Sequence, residues 1–200
     1  LRNTYMLLSM TLLFSAITAG VSIAFALPSM GIIVTLIGYF GLLFLTAKLR
    51  NSAWGIASVF ALTGFMGLTL GPIISRYLGM PGGSGIVMSA MGLTAVIFMG
   101  LSAYVLISKR DFSFMGGFLA VGVLVAFVAG LGAMFFEVPA LSIAVSAAFV
   151  LLMSGMILFE TSNIIRGGET NYIMATVSLY ITIFNLFTSL LQILGFMEKE

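Results

Sequence analysis

Seven apolar stretches, each about as long as a helix must be to cross a bilayer, follow one another along this chain. A spanning helix takes about 20 mostly apolar residues, since each rises about 1.5 Å through a hydrocarbon layer of about 30 Å. Charges and prolines cut the chain into Tyr5–Leu27, Met30–Ala47, Ala53–Leu78, Gly85–Ile107, Phe114–Phe136, Ala140–Ile165 and Tyr172–Phe196. The breaks between them are short and polar or rich in glycine and proline, as in Lys48–Ser52, Gly79–Ser84 and Arg166–Glu169. This pattern predicts an all-α integral membrane protein with seven transmembrane helices in a single domain over 1–200. A soluble fold fails on charge. Only 7% of the 200 residues are charged, against about 25% in an ordinary soluble domain. The first stretch is too long for a signal-peptide core and lacks a cleavage pattern, so it reads as a span. The chain opens on Leu1 rather than methionine, and a native cytosolic N-terminal tail is expected ahead of it.

Basic residues collect on the cytoplasmic side of membrane proteins. With the N-terminus inside, Arg2, Lys48, Arg50, Lys109, Arg110 and Arg166 face the cytoplasm, and only Arg76 and Lys199 face out. Glu137, Glu198 and Glu200 then fall outside as well. Seven spans therefore predict a cytoplasmic N-terminus and an external C-terminus. If the seventh stretch re-enters instead, both ends lie inside.

Helices in lipid associate through close backbone packing and polar contacts rather than by burying oil in oil. The 23 glycines suit that. Gly64, Gly67 and Gly71 recur along one side of the third span, and Gly116, Gly117, Gly122 and Gly130 line the fifth. Gly71-Pro72 inside the third span predicts a kink, because proline lacks an N–H and crowds the preceding turn. Such a kink is either a hinge or a static bend.

Polar residues inside the spans carry the functional signal. Ser178, Thr182, Asn185, Ser189 and Gln192 recur at intervals of four and three residues, which puts them on one helix face. Lipid disfavours such a face, so it looks into protein. It serves either as interhelical glue or as the lining of a polar path. Glu160 is the only acidic residue well inside a span, and it shares a face with Met156, Met153, Phe149, Ser146 and Ser142. An ionisable group at this depth normally needs a partner. Arg50 and Arg166 are the cations nearest in depth, and snorkelling to the interface is the alternative.

Several chemistries are excluded or disfavoured. The chain has no cysteine and no histidine, which removes disulfides, thiolate metal sites, serine–histidine dyads and histidine zinc motifs. Its one aspartate, Asp111, sits in a loop, so no intramembrane aspartyl pair forms. No metal, cofactor or nucleic-acid site is expected, and the chain does not read as an enzyme.

The later segments also resemble a known family. Phe159-Glu160-Thr161, Ile164-Ile165-Arg166-Gly167-Gly168, Tyr172-Ile173, Ser178-Leu179-Tyr180, Asn185-Leu186-Phe187 and Leu194-Gly195 are similar to the ending of the Bax inhibitor family. Arg2-Asn3-Thr4-Tyr5, Phe44-Leu45-Thr46, Gly71-Pro72-Ile73 and Ser102-Ala103-Tyr104-Val105-Leu106 resemble its bacterial branch of FtsH-protease modulators. The resemblance implies a last helix enclosed by the other six and a bacterial inner-membrane location, with a periplasmic C-terminus. It also implies two functions. One is binding and restraint of the FtsH membrane protease through a cytosolic tail. The other is a proton-sensitive calcium leak whose two acids fall on Glu160 and Thr182, the second without a charge. A third reading, independent of the family, is a small-solute transporter built around the Gly71-Pro72 kink.

Overall fold

A computed structural model describes residues 1–200, which form α-helices joined by short turns, with no β-strand. Seven helices are long and apolar enough to cross a membrane. They are α1 (Arg2–Ala24), α2 (Ile32–Leu49), α3 (Trp54–Leu78), α4 (Gly83–Ser108), α5 (Gly116–Phe135), α6 (Pro139–Ile165) and α7 (Tyr172–Met197). A single 3-10 turn, Ser113–Met115, leads into α5. Most boundaries fall within a few residues of those read from the sequence. Helix α1 stops short of Leu27 because Ala26 takes a positive φ of 48°. The Leu27 N–H then returns to the Ser22 carbonyl at 2.9 Å. Helix α6 begins on Pro139, where the missing N–H has no helical partner to lose.

The chain gathers into two compact units, Leu1–Pro81 with Glu169–Tyr180, and Gly82–Gly168 with Ile181–Glu200. In the first unit, α3 packs against both α1 and α2. The glycine face expected on α3 meets α1: Gly64 lies under Phe14, Gly67 against Ser15 and Thr18, and Gly71 against Ser22 and Ala19. A Cβ at Gly67 would collide with the Ser15 carbonyl and the Thr18 hydroxyl. On the other side, the Phe65 ring fills the space over Gly38 of α2.

The same packing resolves the proline. Pro72 sits inside a helix that runs unbroken from Trp54 to Leu78. Its missing N–H releases the carbonyl four residues back, that of Leu68. The Ser22 hydroxyl of α1 donates to that carbonyl at 3.0 Å. A neighbouring serine thus takes over the lost backbone bond, which is how spanning helices tolerate proline. Gly71, beside it, leaves the room that Ser22 occupies.

In the second unit, α6 packs against α4 and α5. Leu152 of α6 fills the space over Gly122, Phe159 that over Gly116, and Leu119 of α5 that over Gly155. Gly117, by contrast, faces open space. Ser102 of α4 and Thr161 of α6 bring their hydroxyls within 3.4 Å.

Helix α7 contributes residues 172–180 to the first unit and 181–197 to the second. Nothing on it between Ile173 and Gly195 is exposed. The other spans differ: Ile37 of α2, Val96 of α4, Val125 of α5 and Leu151 of α6 are all well exposed, as lipid-facing side chains must be.

Two alanine substitutions separate packing from propensity. Gly67→Ala forces α1 and α3 apart and should lower the melting temperature in detergent by several degrees, as overpacking costs about 1–3 kcal/mol. Gly117→Ala meets nothing and should leave it unchanged or slightly raised.

Candidate functional site

The candidate site is assembled from the polar faces of α6 and of the second part of α7. Helical spacing puts Glu160, Ser146 and Ser142 on one side of α6, and the partners they find lie on the polar stripe of α7. Near the α6 C-terminus, Glu160 and Thr182 are both buried, 7% and 2% exposed. The Thr182 hydroxyl reaches both carboxylate oxygens, at 3.1 and 3.0 Å. Toward the other end of the pair, the Ser146 hydroxyl donates to Gln192 Oε1 at 2.6 Å. The Gln192 amide nitrogen donates in turn to the Ser142 hydroxyl. Glu160 and Ser146 are about 21 Å apart along α6 at the usual helical rise. The helix pair is therefore tied at two separated places, one by an acid and one by an amide.

The rest of the stripe is less engaged. Asn185 turns its amide back to the Ile181 carbonyl at 2.9 Å, and Ser189 is buried. Ser178 is half-buried and belongs to the first unit. Of the expected cations, Arg166 pairs with Asp111 at 3.5 Å and donates to the Lys109 carbonyl at 2.8 Å. Arg50 closes α2, and its carbonyl accepts a bond from Asn171 at 3.1 Å. Glu160 takes its hydrogen bonds from a hydroxyl.

Chemically, the Glu160–Thr182 pair serves either protonation state. An ionised Glu160 accepts the threonine proton, and a protonated one donates to the threonine oxygen. The pair offers two carboxylate oxygens and one hydroxyl, short of the roughly six to eight oxygens that retain calcium. No other Asp, Glu, Lys or Arg lies within α4, α5, α6 or α7.

Two polar centres lay outside the sequence reading. Tyr180 points its hydroxyl to Ser15 at 2.5 Å and to the Thr63 carbonyl at 3.3 Å, knitting the first unit together. A tyrosine in mid-span is the available signal, since a buried phenol needs a partner. Asn171 caps α7, accepting from the N–H groups of Ile173 and Met174 at 3.1 Å. Its amide also bonds Asn51 at 3.0 Å.

Thr182→Val keeps the shape and removes the hydroxyl. In a double-mutant cycle with Glu160→Met, which removes both acceptor oxygens, read by unfolding in detergent, the two positions should couple by about 0.5–2 kcal/mol. Purely additive losses would mean the hydrogen bond does not tie the helices.

Comparison with known proteins adds a second line of observation. The family model described as "Inhibitor of apoptosis-promoting Bax1" matches residues 1–199. The chain is 55% identical over 200 residues to the modulator of FtsH protease YccA of Escherichia coli strain K12, covering 100% of this chain and 91% of that protein. It is 57% identical over 195 residues to an uncharacterized protein of Pseudomonas aeruginosa, covering 98% of this chain and 88% of that protein. An uncharacterized membrane protein of Vibrio cholerae is 47% identical over 201 residues, with 100% and 90% covered.

Proposed function

We propose that this chain, which belongs to the Bax inhibitor family, is a multi-pass regulator of the bacterial inner membrane that binds the FtsH protease and restrains it. The observation that carries this reading is its 55% identity, along its whole length, to a protein named as a modulator of that protease. The likeness covers 100% of this chain and 91% of that protein, and so takes in all seven spans. The regulator reading asks for no catalytic group of its own. It asks for a stable membrane body, which the α1–α3 and α5–α6 packing supplies, and for surface that other membrane helices can reach.

A second reading, a proton-sensitive cation leak, is favoured by one specific observation. Glu160 and Thr182, the positions onto which the resemblance places two acids, are joined by hydrogen bonds at 3.0 and 3.1 Å. Two neighbouring acids titrate as a coupled pair with separated steps. One acid beside a hydroxyl titrates once. A leak through this chain follows a single-site pH curve, Glu160→Gln flattens it, and Thr182→Asp splits it into two steps.

The two readings part cleanly in experiment. Co-purification from solubilised membranes should recover FtsH with this protein, and calcium entry into dye-loaded liposomes should be independent of that association. Recovery of FtsH no greater than with an unrelated seven-span protein would count against the regulator. Absence of flux at every pH would remove the leak. An unchanged pH profile in Glu160→Gln would remove Glu160 as its sensor.

Orientation belongs to the same proposal. The excess of basic residues among Arg2, Lys48, Arg50, Lys109, Arg110 and Arg166 supports a cytoplasmic N-terminus. A periplasm-active reporter fused after Glu200 should be active, and one inserted within 48–52 should be silent. The reverse pattern would overturn the orientation.

A further inference from the structure

The connection between α4 and α5 has a feature that the regulator and leak readings leave unused. Residues 109–112 join α4, which ends at Ser108, to the turn that opens α5 at Ser113. Four residues between two spanning helices cannot leave the headgroup layer, so Lys109, Arg110 and Asp111 are held at that depth. The connection is also stapled to the end of α6. Ser162, buried at 1% exposure, accepts the Phe112 N–H at 3.0 Å and donates to the Arg110 carbonyl at 3.3 Å. Arg166 donates to the Lys109 carbonyl at 2.8 Å. Three cations are thereby gathered by one small, fixed piece of backbone.

Charge in this cluster is unbalanced. Asp111 is its single carboxylate, and it is spent on Arg166 at 3.5 Å. Hydrogen bonds from Ser113, and then the Arg166 charge, hold its carboxyl below the usual range. Asp111 therefore stays ionised at physiological pH beside Arg166. Neither the Lys109 nor the Arg110 side chain has an ion-pair partner.

Lys109 is also oddly placed. It follows the last residue of α4 in the left-handed conformation, φ 53° and ψ 25°, a position that glycine fills with least strain. A lysine there forgoes stability in return for a side chain. Around the connection, large apolar side chains stand open: Ile107 is 83% exposed, Phe114 79% and Phe118 73%. Cations at headgroup depth above exposed apolar side chains match an amphipathic ligand, with an anionic head and hydrocarbon tails.

We propose that Lys109, Arg110 and Arg166 form a seat for the phosphate headgroup of an anionic phospholipid, whose acyl chains lie along Ile107, Phe114 and Phe118. Attraction to an anionic surface is worth roughly a fivefold change in binding for each basic residue. The free cations, Lys109 and Arg110, carry the preference, and Arg166 sets the geometry through its two contacts.

The test uses the whole protein in nanodiscs of phosphatidylcholine, titrated with fluorescent phosphatidylglycerol. The unaltered protein should prefer phosphatidylglycerol to phosphatidylcholine. Lys109→Gly with Arg110→Gln should lower that preference by roughly 25-fold, about fivefold for each cation. Lys109→Gly alone should raise the melting temperature by relieving the backbone while weakening the lipid preference. A lysine with a purely structural role would move the first and not the second. Removing two other cations, by Arg76→Gln with Lys199→Gln, should leave the preference unchanged, and an equal loss there would reduce the effect to net charge and overturn the seat. An excess of inorganic phosphate should fail to displace the lipid. Displacement by phosphate would make this a site for a free anion, and an unchanged preference in the double variant would refute the proposal.

Discussion

Hydrocarbon offers no hydrogen bonds, and that constraint governs the polar atoms within the spans of this chain. Within a span each N–H and C=O must find a partner in protein. The clearest consequence is the triangle of Pro72, Leu68 and Ser22. Proline releases a carbonyl in mid-helix, and a hydroxyl from another helix takes it at 3.0 Å. The solution works only because Gly67 and Gly71 let α1 come close enough for Ser22 to reach. Glycine, proline and serine therefore act as one unit where α1 meets α3. Elsewhere the hydroxyls of Thr11, Ser58, Thr94 and Ser154 fold back on carbonyls of their own helices, so they ask nothing of a neighbour.

The same constraint makes the pairing of α6 with α7 specific. Ser142, Ser146 and Glu160 on one helix, with Thr182 and Gln192 on the other, would each be costly against lipid. Together they satisfy one another at two places. Between those places the α6 face presents Met153 and Met156, side chains that adapt their shape readily. The two ties differ in chemistry, a titratable acid at one and a neutral amide at the other, with adaptable packing between them. The leak reading proposed above draws on the acid tie alone.

Much of this was readable in the sequence because membrane folds leave few choices. The α3 glycines were visible as a face by spacing alone, and they do meet a neighbouring helix. So were the α7 stripe and the alignment of Glu160 with Ser146 and Ser142. What spacing cannot provide is the identity of the facing element. Charge suggests charge, which points from Glu160 to Arg50 or Arg166, yet a hydroxyl of the stripe itself bonds it. The carbonyl freed by Pro72 likewise needed a donor, and nothing local marks Ser22, 46 positions from Leu68, as that donor. Tyr180 and Asn171 were missed for a related reason. One is a single polar tip on a mostly apolar side chain, and the other is a cap whose second partners, Arg50 and Asn51, lie far away in sequence.

Regulation of a membrane protease is the claim on which the functional account rests. The most direct measurement is the rate at which purified FtsH degrades a membrane-embedded substrate in proteoliposomes, with and without this protein at equal density. Degradation should be slower in its presence, with a soluble FtsH substrate less affected. Equal rates for the membrane substrate, with the protein verified as inserted and folded, would contradict it.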